Sequence, residues 1–292
     1  MNFYQLTYFK KVSETGSVSR AAEELFITQP AVSKQIKALE DELGERLFDR
    51  IGKKVSLTRT GDVLYAHAEK ILRSVEEAKS AVRDMSAECS GELVIGTSDH
   101  ISIHRLPKVI KSFIHAFPNV DLRLRCHRSE TILDMVNKNL VDMGVITLPG
   151  PVRHLVVKTV WRDPMSVVYV KDHPLSSARS VRIRDIAKYG MILPEAGTQT
   201  RKVIDAAFSR KGLTPKIAME VAYLETIKSL VRTGLGISIL PDRAVEMEVK
   251  GGVLAKSKMD DIIFSRDLGV VHLKEKFLSR PAREFLNMLD RE

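Results

Sequence analysis

The sequence predicts an all-helical head with a small two-stranded wing, one long connecting helix, and a two-lobed α/β body, and three observations predict it. Apolar residues recur at helical spacing in three short segments before residue 44. An unbroken heptad pattern, free of proline, runs from Thr60 to Glu88 with its only glycine at Gly61. From Gly91 onward, short apolar strands alternate with amphipathic helices. The expected boundaries are 1–59 for the head, 60–89 for the connecting helix and 91–292 for the body. Within the body, lobe I takes about 91–161 plus 266–292 and lobe II about 162–265.

In the head, Phe3, Leu6, Phe9 and Val12 mark a first helix. The stretch SVSRAAEELFITQPAVSKQIKALEDEL, residues 17–43, then reads as two short helices joined by a tight turn. Ala21, Ala22 and Leu25 form an inward stripe on the first of these, and the small alanines let the next helix cross closely. Val32, Ile36, Leu39 and Leu43 are spaced four, three and four apart, one face of an α-helix. Thr28 is placed to cap that helix, and Pro30 suits its first turn, where a missing N–H does no harm. The opposite face is polar. Gln29, Ser33, Lys34 and Lys37, with Pro30 at the leading end, offer base-edge hydrogen bonds and phosphate charge on a helix that fits the DNA major groove. The following LFDRIGKKVSLT reads as two strands around a basic, glycine-containing turn, so Arg50, Lys53 and Lys54 could reach phosphates or an adjacent minor groove. The pattern is a winged helix-turn-helix, and the expected partner is double-stranded promoter DNA.

In the connecting helix, Leu64, Ala68, Ile71, Val75, Ala78, Val82 and Met85 alternate spacings of four and three, the seam of a coiled coil. A helix of that length spans about 40 Å. The narrow seam on a charged surface favours pairing with another copy over packing against its own chain. A homodimer, or a dimer of dimers giving a homotetramer, would place two reading heads on a two-fold axis that suits a palindromic site.

In the body, ELVIGTS, VDLRLRC and VDMGVIT are strands separated by helices around LPKVIKSFIHAF and ETILDMVNKNL, an α/β arrangement with a largely parallel sheet. MSVVYV, GMILPE, KIAMEV and GISILP supply a second unit, with helices near Arg201–Lys211 and Leu224–Thr233. The strand DLGVVHL and the helix RPAREFLNML return to the first, so the chain crosses between lobes twice. Sheets of this kind bind ligands beyond the carboxyl ends of their strands. That rule selects Thr97 and Ser98 after the first strand, Arg128 and Ser129 after the second, Thr147 after the third, and Thr198, Gln199 and Thr200 at the start of a lobe II helix. Such hydroxyls also serve as ordinary helix caps and turn formers; their joint occurrence at strand ends is what points to a ligand.

His100 and His104, with Asp99 adjacent, lie four apart, but no third metal ligand is fixed by the sequence; IHRLPK reads better as cationic or hydrogen-bonding groups near a cleft mouth, His100 joins the effector-binding candidates, and Arg105 reads equally as a solvated helix residue. No metal and no cofactor are expected. The absence of GxSxG, P-loop and Rossmann patterns argues against an enzyme.

Composition fits a globular protein, with 44% apolar and 28% charged residues in 292. The start MNFYQLTYFKK lacks the order of a signal peptide, and no uncharged run approaches the roughly 18 residues of a membrane span, so no membrane is expected. Cys89 and Cys126 fit no zinc or redox spacing and read as reduced thiols in a cytoplasm. Residues 1–90 carry 14 basic and 14 acidic side chains, so the whole excess of +9 falls in 91–292. The head's DNA reading therefore rests on its motif, while the body's charge points to a small anionic ligand or to proximity to DNA.

The run AAEELFITQPAVSKQIKALEDELGERLFDR followed by LTRTG resembles the DNA-binding half of the LysR-type transcriptional regulators, and the layout of the whole chain is similar. GLGISILP at 234–241 resembles a recurrent segment of that family's effector domain. The resemblance implies a periplasmic-binding-protein-like body with a small-molecule effector between its lobes, and it implicates the same loops, above all Ser98 and Thr198. It makes RNA polymerase a further candidate partner. Two readings of other classes remain open at this point: an enzyme carrying a DNA-binding appendage, and a constitutive architectural DNA binder with an empty cleft.

Overall fold

A computed structural model describes residues 1–51, 54–83 and 89–291. The chain forms two compact units, one built from the N-terminal elements and one from the rest.

The N-terminal unit holds α1 (Phe3–Thr15), α2 (Val18–Glu24), α3 (Gln29–Leu43), β1 (Phe48–Ile51), β2 (Lys54–Leu57) and α4 (Arg59–Arg83). Asn2 starts α1 with a reciprocal cap, accepting from the Gln5 amide at 3.0 Å while the Gln5 side chain accepts from the Asn2 amide at 2.8 Å. Thr28 and Pro30 open α3, and Gly44 closes it in the left-handed region. Leu6, Phe9, Val12, Ala21, Ala22, Val32, Ile36 and Leu39 meet in one core. Leu43 departs from the predicted stripe and is exposed, since α3 ends there and the chain turns away. β1 and β2 pair antiparallel as the wing, whose base is fixed by the Glu40 carboxylate accepting from the Leu47 amide at 2.7 Å. Gly61 admits no side chain: a Cβ there would lie 2.2 Å from the Leu47 carbonyl oxygen, and this close approach seats the first turn of α4 against the wing.

One expectation is corrected here. Ala68 is fully buried in the head core, and Leu64 packs against the same core with Leu72. The first part of the seam is thus used by the head itself, because a small residue at 68 lets α4 approach α1 closely. Ile71, at 41% exposure, and Ala78 remain on the surface, and Val75 is half-buried. The side chain of Val82, and Met85 altogether, lie outside the described residues.

The second unit contains β3 (Gly91–Thr97), α5 (Asp99–His104), α6 (Leu106–Ala116), β4 (Val120–Cys126), α7 (Ser129–Asn137), β5 (Met143–Thr147), β6 (Leu155–Val170), α8 (Ile183–Ile186), β7 (Met191–Pro194), α9 (Gln199–Ser209), β8 (Ile217–Val221), α10 (Leu224–Arg232), β9 (Ser238–Pro241), α11 (Glu246–Lys250), β10 (Leu254–Ser257), β11 (Phe264–Leu273) and α12 (Arg280–Leu289). β4, β3 and β5 run parallel, as the sequence leads one to expect. The sheet as a whole is mixed, which corrects the largely parallel reading: β11 is antiparallel to both β5 and β6, and β6 is antiparallel to β9 and β10. The reason lies in β6, whose 16 residues continue MSVVYV backward through LVVKTVWRDP. Its first half is broken by the exposed Lys158 and Thr159 and so carries no long apolar run.

β6 and β11 are the two crossings between lobes, paired from Phe264 opposite Met165 to Leu273 opposite Leu155. Along β6 the apolar side chains change allegiance between Trp161, in the lobe I core, and Met165, in the lobe II core; on β11 the change falls between Leu268 and Phe264. The register shifts at Gly269, where a Cβ would lie 2.0 Å from the Lys158 carbonyl oxygen, so only glycine fits the bulge. α6 and α12 cover one face of the lobe I sheet and α7 the other.

Candidate functional site

The carboxyl ends of the strands and the starts of the following helices surround a cavity of about 770 Å³ in the second unit, a volume suited to a small organic ligand. Ser98, His100, Arg128, Ser129, Thr147, Thr198, Gln199 and Thr200 all line it. Thr97 does not. Its side chain is fully buried and donates to the Val145 carbonyl at 2.9 Å, so it ties β3 to β5 instead of facing a ligand, and its expected binding role is withdrawn.

The lining hydroxyls have distinct tasks. Ser98 caps α5 by backbone geometry with no side-chain capping bond. Ser129 accepts from the Thr147 amide at 3.3 Å, joining the ends of β4 and β5. Thr198 accepts from the Arg201 amide at 3.2 Å and so starts α9. Thr200 accepts a 2.6 Å hydrogen bond from Arg266 Nη1.

Arg266 belongs to a buried ionic cluster absent from the sequence reading. Asp163 on β6 is fully buried and faces Arg266 on β11 in register. Its carboxylate accepts from Arg266 Nε and Nη2, each at 3.0 Å, and from Arg105 Nη2 at 2.7 Å. His100 Nε2 lies 3.3 Å from the same carboxylate. Arg105 is therefore a buried partner of Asp163, not a solvated helix residue, and it also sits over the Trp161 ring at 5.7 Å.

Burial pushes His100 down to about 4, with the charge of Arg266 adding to this and the hydrogen bond to Asp163 opposing it. The ring is neutral at pH 7. Burial alone would raise the Asp163 carboxyl, but the hydrogen bond from His100 and the charge of Arg266 outweigh it and hold the group well below the usual carboxylate range. Because Asp163 is ionised, the His100 proton sits on Nε2. Nδ1 is left as an acceptor with no hydrogen-bond partner among the described residues, on a side chain 6% exposed. Two guanidinium groups face one carboxylate beside a neutral imidazole, so the cluster carries one net positive charge.

The cleft edges meet through side chains. Arg128, after β4 in lobe I, pairs with Glu195, after β7 in lobe II, at 2.6 Å. Glu130 on α7 accepts from the Gln199 amide at 3.0 Å and so occupies the N-terminus of α9. His104 lies 3.6 Å from Glu225, and the His100 and His104 rings are 5.1 Å apart. Among the described residues no group of three or more histidines, cysteines or acids could hold a metal ion.

On the N-terminal unit, Gln29, Pro30, Lys34 and Lys37 stand exposed on α3 opposite its buried stripe, and Ser33 is half-buried beside them. The side chains of Arg50 and Lys54, and Lys53 altogether, lie outside the described residues.

Residues 3–62 match the family of bacterial regulatory helix-turn-helix proteins of the lysR family, and residues 86–292 match the LysR substrate binding domain. The chain is a LysR-type transcriptional regulator. It is 31% identical over 287 residues to a probable RuBisCO transcriptional regulator of Nostoc sp., covering 96% of this chain and 85% of that one. A full-length OxyR variant from Pseudomonas aeruginosa shares the fold at a TM-score of 0.75 and 24% identity, covering 100% of this chain and 94% of the other. CbnR in complex with its target DNA also scores 0.75, at 20% identity, covering 100% and 99%. As a member of this family the regulator binds DNA and is not an enzyme. Among the described residues, no helix is long and apolar enough to cross a membrane.

Arg266 and Asp163 had a signal in the sequence of the regulator. The dipeptides Arg162-Asp163 and Arg266-Asp267 interrupt the two apolar strands that cross between lobes. A charge inside such a strand is costly unless it is paired.

Proposed function

We propose that this regulator reads promoter DNA as a dimer or dimer of dimers in the cytoplasm, with Gln29, Ser33, Lys34, Lys37 and the basic wing at the duplex, and that a small anion in the cleft sets its output. The part of the α4 seam left exposed around Ile71 supports pairing with a second copy. RNA polymerase fits as a partner of the DNA-bound assembly. The anion reading is carried by one observation: the Arg105, Arg266, Asp163 and His100 cluster has one net positive charge beneath a cavity lined by Ser98, Thr198 and Thr200, whose wall also holds the carboxylates of Asp99, Glu130 and Glu225. A buried excess charge seeks a counter-ion. The ligand controls output to the extent that it binds two lobe arrangements with different affinity.

A thermal-shift screen tests this, with phosphorylated carboxylates, dicarboxylates and inorganic oxyanions set against neutral and cationic metabolites. Anions are expected to raise the melting temperature by mass action. Ser98→Ala should then weaken the best of them by roughly 1–3 kcal/mol in calorimetry, as the loss of a hydrogen bond to a charged group requires. Stabilisation by neutral compounds alone, unchanged by Ser98→Ala, would overturn the anion reading and leave the family assignment standing.

A further inference from the structure

The rim of the cleft holds two cross-lobe contacts of opposite polarity. Lobe I contributes a cation, Arg128, and two residues later an anion, Glu130. Lobe II answers with an anion, Glu195, and the partial positive charge at the N-terminus of α9, an 11-residue helix whose Gln199 amide points outward. Arg128 takes Glu195 at 2.6 Å, and the Gln199 amide gives its hydrogen bond to Glu130 at 3.0 Å. Both of these anion-seeking groups are thus occupied by a carboxylate of the regulator itself.

We infer that Glu130 and Glu195 are resident stand-ins for the effector, and that an incoming anion binds by displacing them from the α9 N-terminus and from Arg128. The inference rests on the cleft being the site of an anionic effector. It accounts for two carboxylates at the edge of the cleft, each filling a position that an oxygen of an anionic ligand would take.

The contacts suit an exchange. Arg128 and Glu195 have side chains 44% and 39% exposed, and pairs so open to water contribute little stability, so a ligand need not overcome much to part them. A single multivalent anion between Arg128 and α9 would replace both carboxylates and bridge the lobes by its own oxygens. A second observation points to a ligand in the same cavity: the buried His100 ring lines it, and its Nδ1 acceptor is without a hydrogen-bond partner among the described residues.

Displacement also predicts selectivity. Two carboxylates must leave, so an anion of charge two or more is favoured over a monoanion, and a neutral ligand gains nothing from the rim.

Inorganic phosphate serves as the probe, titrated into the full-length regulator by calorimetry at fixed ionic strength. Glu130→Gln and Glu195→Gln should each tighten phosphate by about two- to fivefold, and the double variant more than either alone. Gln keeps the shape of Glu; Glu130→Ala guards against a glutamine that holds the same hydrogen bond. Asp99→Asn is the control, because Asp99 lines the cavity and takes no part in either rim contact. A through-space charge effect would tighten phosphate in Asp99→Asn as well, whereas displacement confines the gain to the two glutamates. Phosphate bound equally by the wild type and all variants, or an equal gain in Asp99→Asn, overturns the stand-in role while the anion site survives. Phosphate bound by none of them, with neutral compounds still binding, overturns the anion site itself.

Discussion

The N-terminal helix-turn-helix unit and the cleft of the second unit relate their polar groups to their cores in opposite ways. In the head, α3 divides its labour cleanly, with Val32, Ile36 and Leu39 buried and Gln29, Lys34 and Lys37 outside. In the cleft, the groups facing the cavity run down into a buried ionic cluster, so Arg266 both lines the cavity and balances Asp163. The exposed face of α3 can therefore vary without touching the fold of the head, whereas Arg266 cannot change without leaving Asp163 short of a partner.

The sharpest test of that difference is Asp163→Asn. It leaves the buried Arg105 and Arg266 without a carboxylate, and breaking a buried pair on one side costs about 3–5 kcal/mol. Trp161, the only tryptophan and part of the lobe I core, reports the unfolding of this unit in denaturant. Gln29→Ala is the counterpart in the head, expected to leave stability unchanged while costing about 1–3 kcal/mol of specific DNA binding. An Asp163→Asn protein as stable as the wild type would erase the contrast.

A smaller effect follows from His100. Its pKa is about 4 in the folded protein and near 6.5 in the unfolded chain, so between those values the unfolded state binds more protons. The associated stability is fully present above pH 6.5 and is lost as pH falls through the window toward 4, by up to about 3 kcal/mol. The Trp161 transition should move to lower denaturant on acidification, and His100→Gln should flatten that dependence. A slope of the same size in His100→Gln would assign it to other groups.

The two regions also differ in how far they could be read from the chain. The three helices of the head lie within 41 residues, Phe3 to Leu43, and their packing follows from spacings of three and four. The cavity-lining hydroxyls are legible for a similar reason, since Ser98 and Thr147 sit where a strand stops and Thr198 where a helix starts. Three features are not. Thr97 spends its hydroxyl on the Val145 carbonyl, a bond that depends on the pairing of β3 with β5 and not on the end of the strand itself. The pairing of Arg266 with Asp163 spans 103 residues and depends on the register of two antiparallel strands. The use of Leu64 and Ala68 by the head core leaves no mark of its own in the sequence, because a heptad seam and an ordinary amphipathic face share the same spacing over two turns.

Phe26 gives the smallest predicted effect and the most local one. It follows α2, where Ile27 donates to the Ala22 carbonyl at 3.0 Å, the bond that closes a helix through a left-handed residue. Phe26 is that residue, at φ 57°, and its ring is 96% exposed. A side chain with a Cβ is strained there, and the ring recovers nothing from burial. Asparagine tolerates the conformation, so Phe26→Asn should stabilise the head by about 0.5–1 kcal/mol. Glycine relieves the same strain but adds freedom to the unfolded chain, so Phe26→Gly should gain less. Hydrogen exchange of the core amides of α1 and α3 measures both. Protection that rises from phenylalanine through glycine to asparagine fits a turn governed by backbone conformation alone. Loss of protection in both variants would mean that the exposed ring supports the head through a contact of its own, and the clean division between the head's core and its surface would fail at this turn.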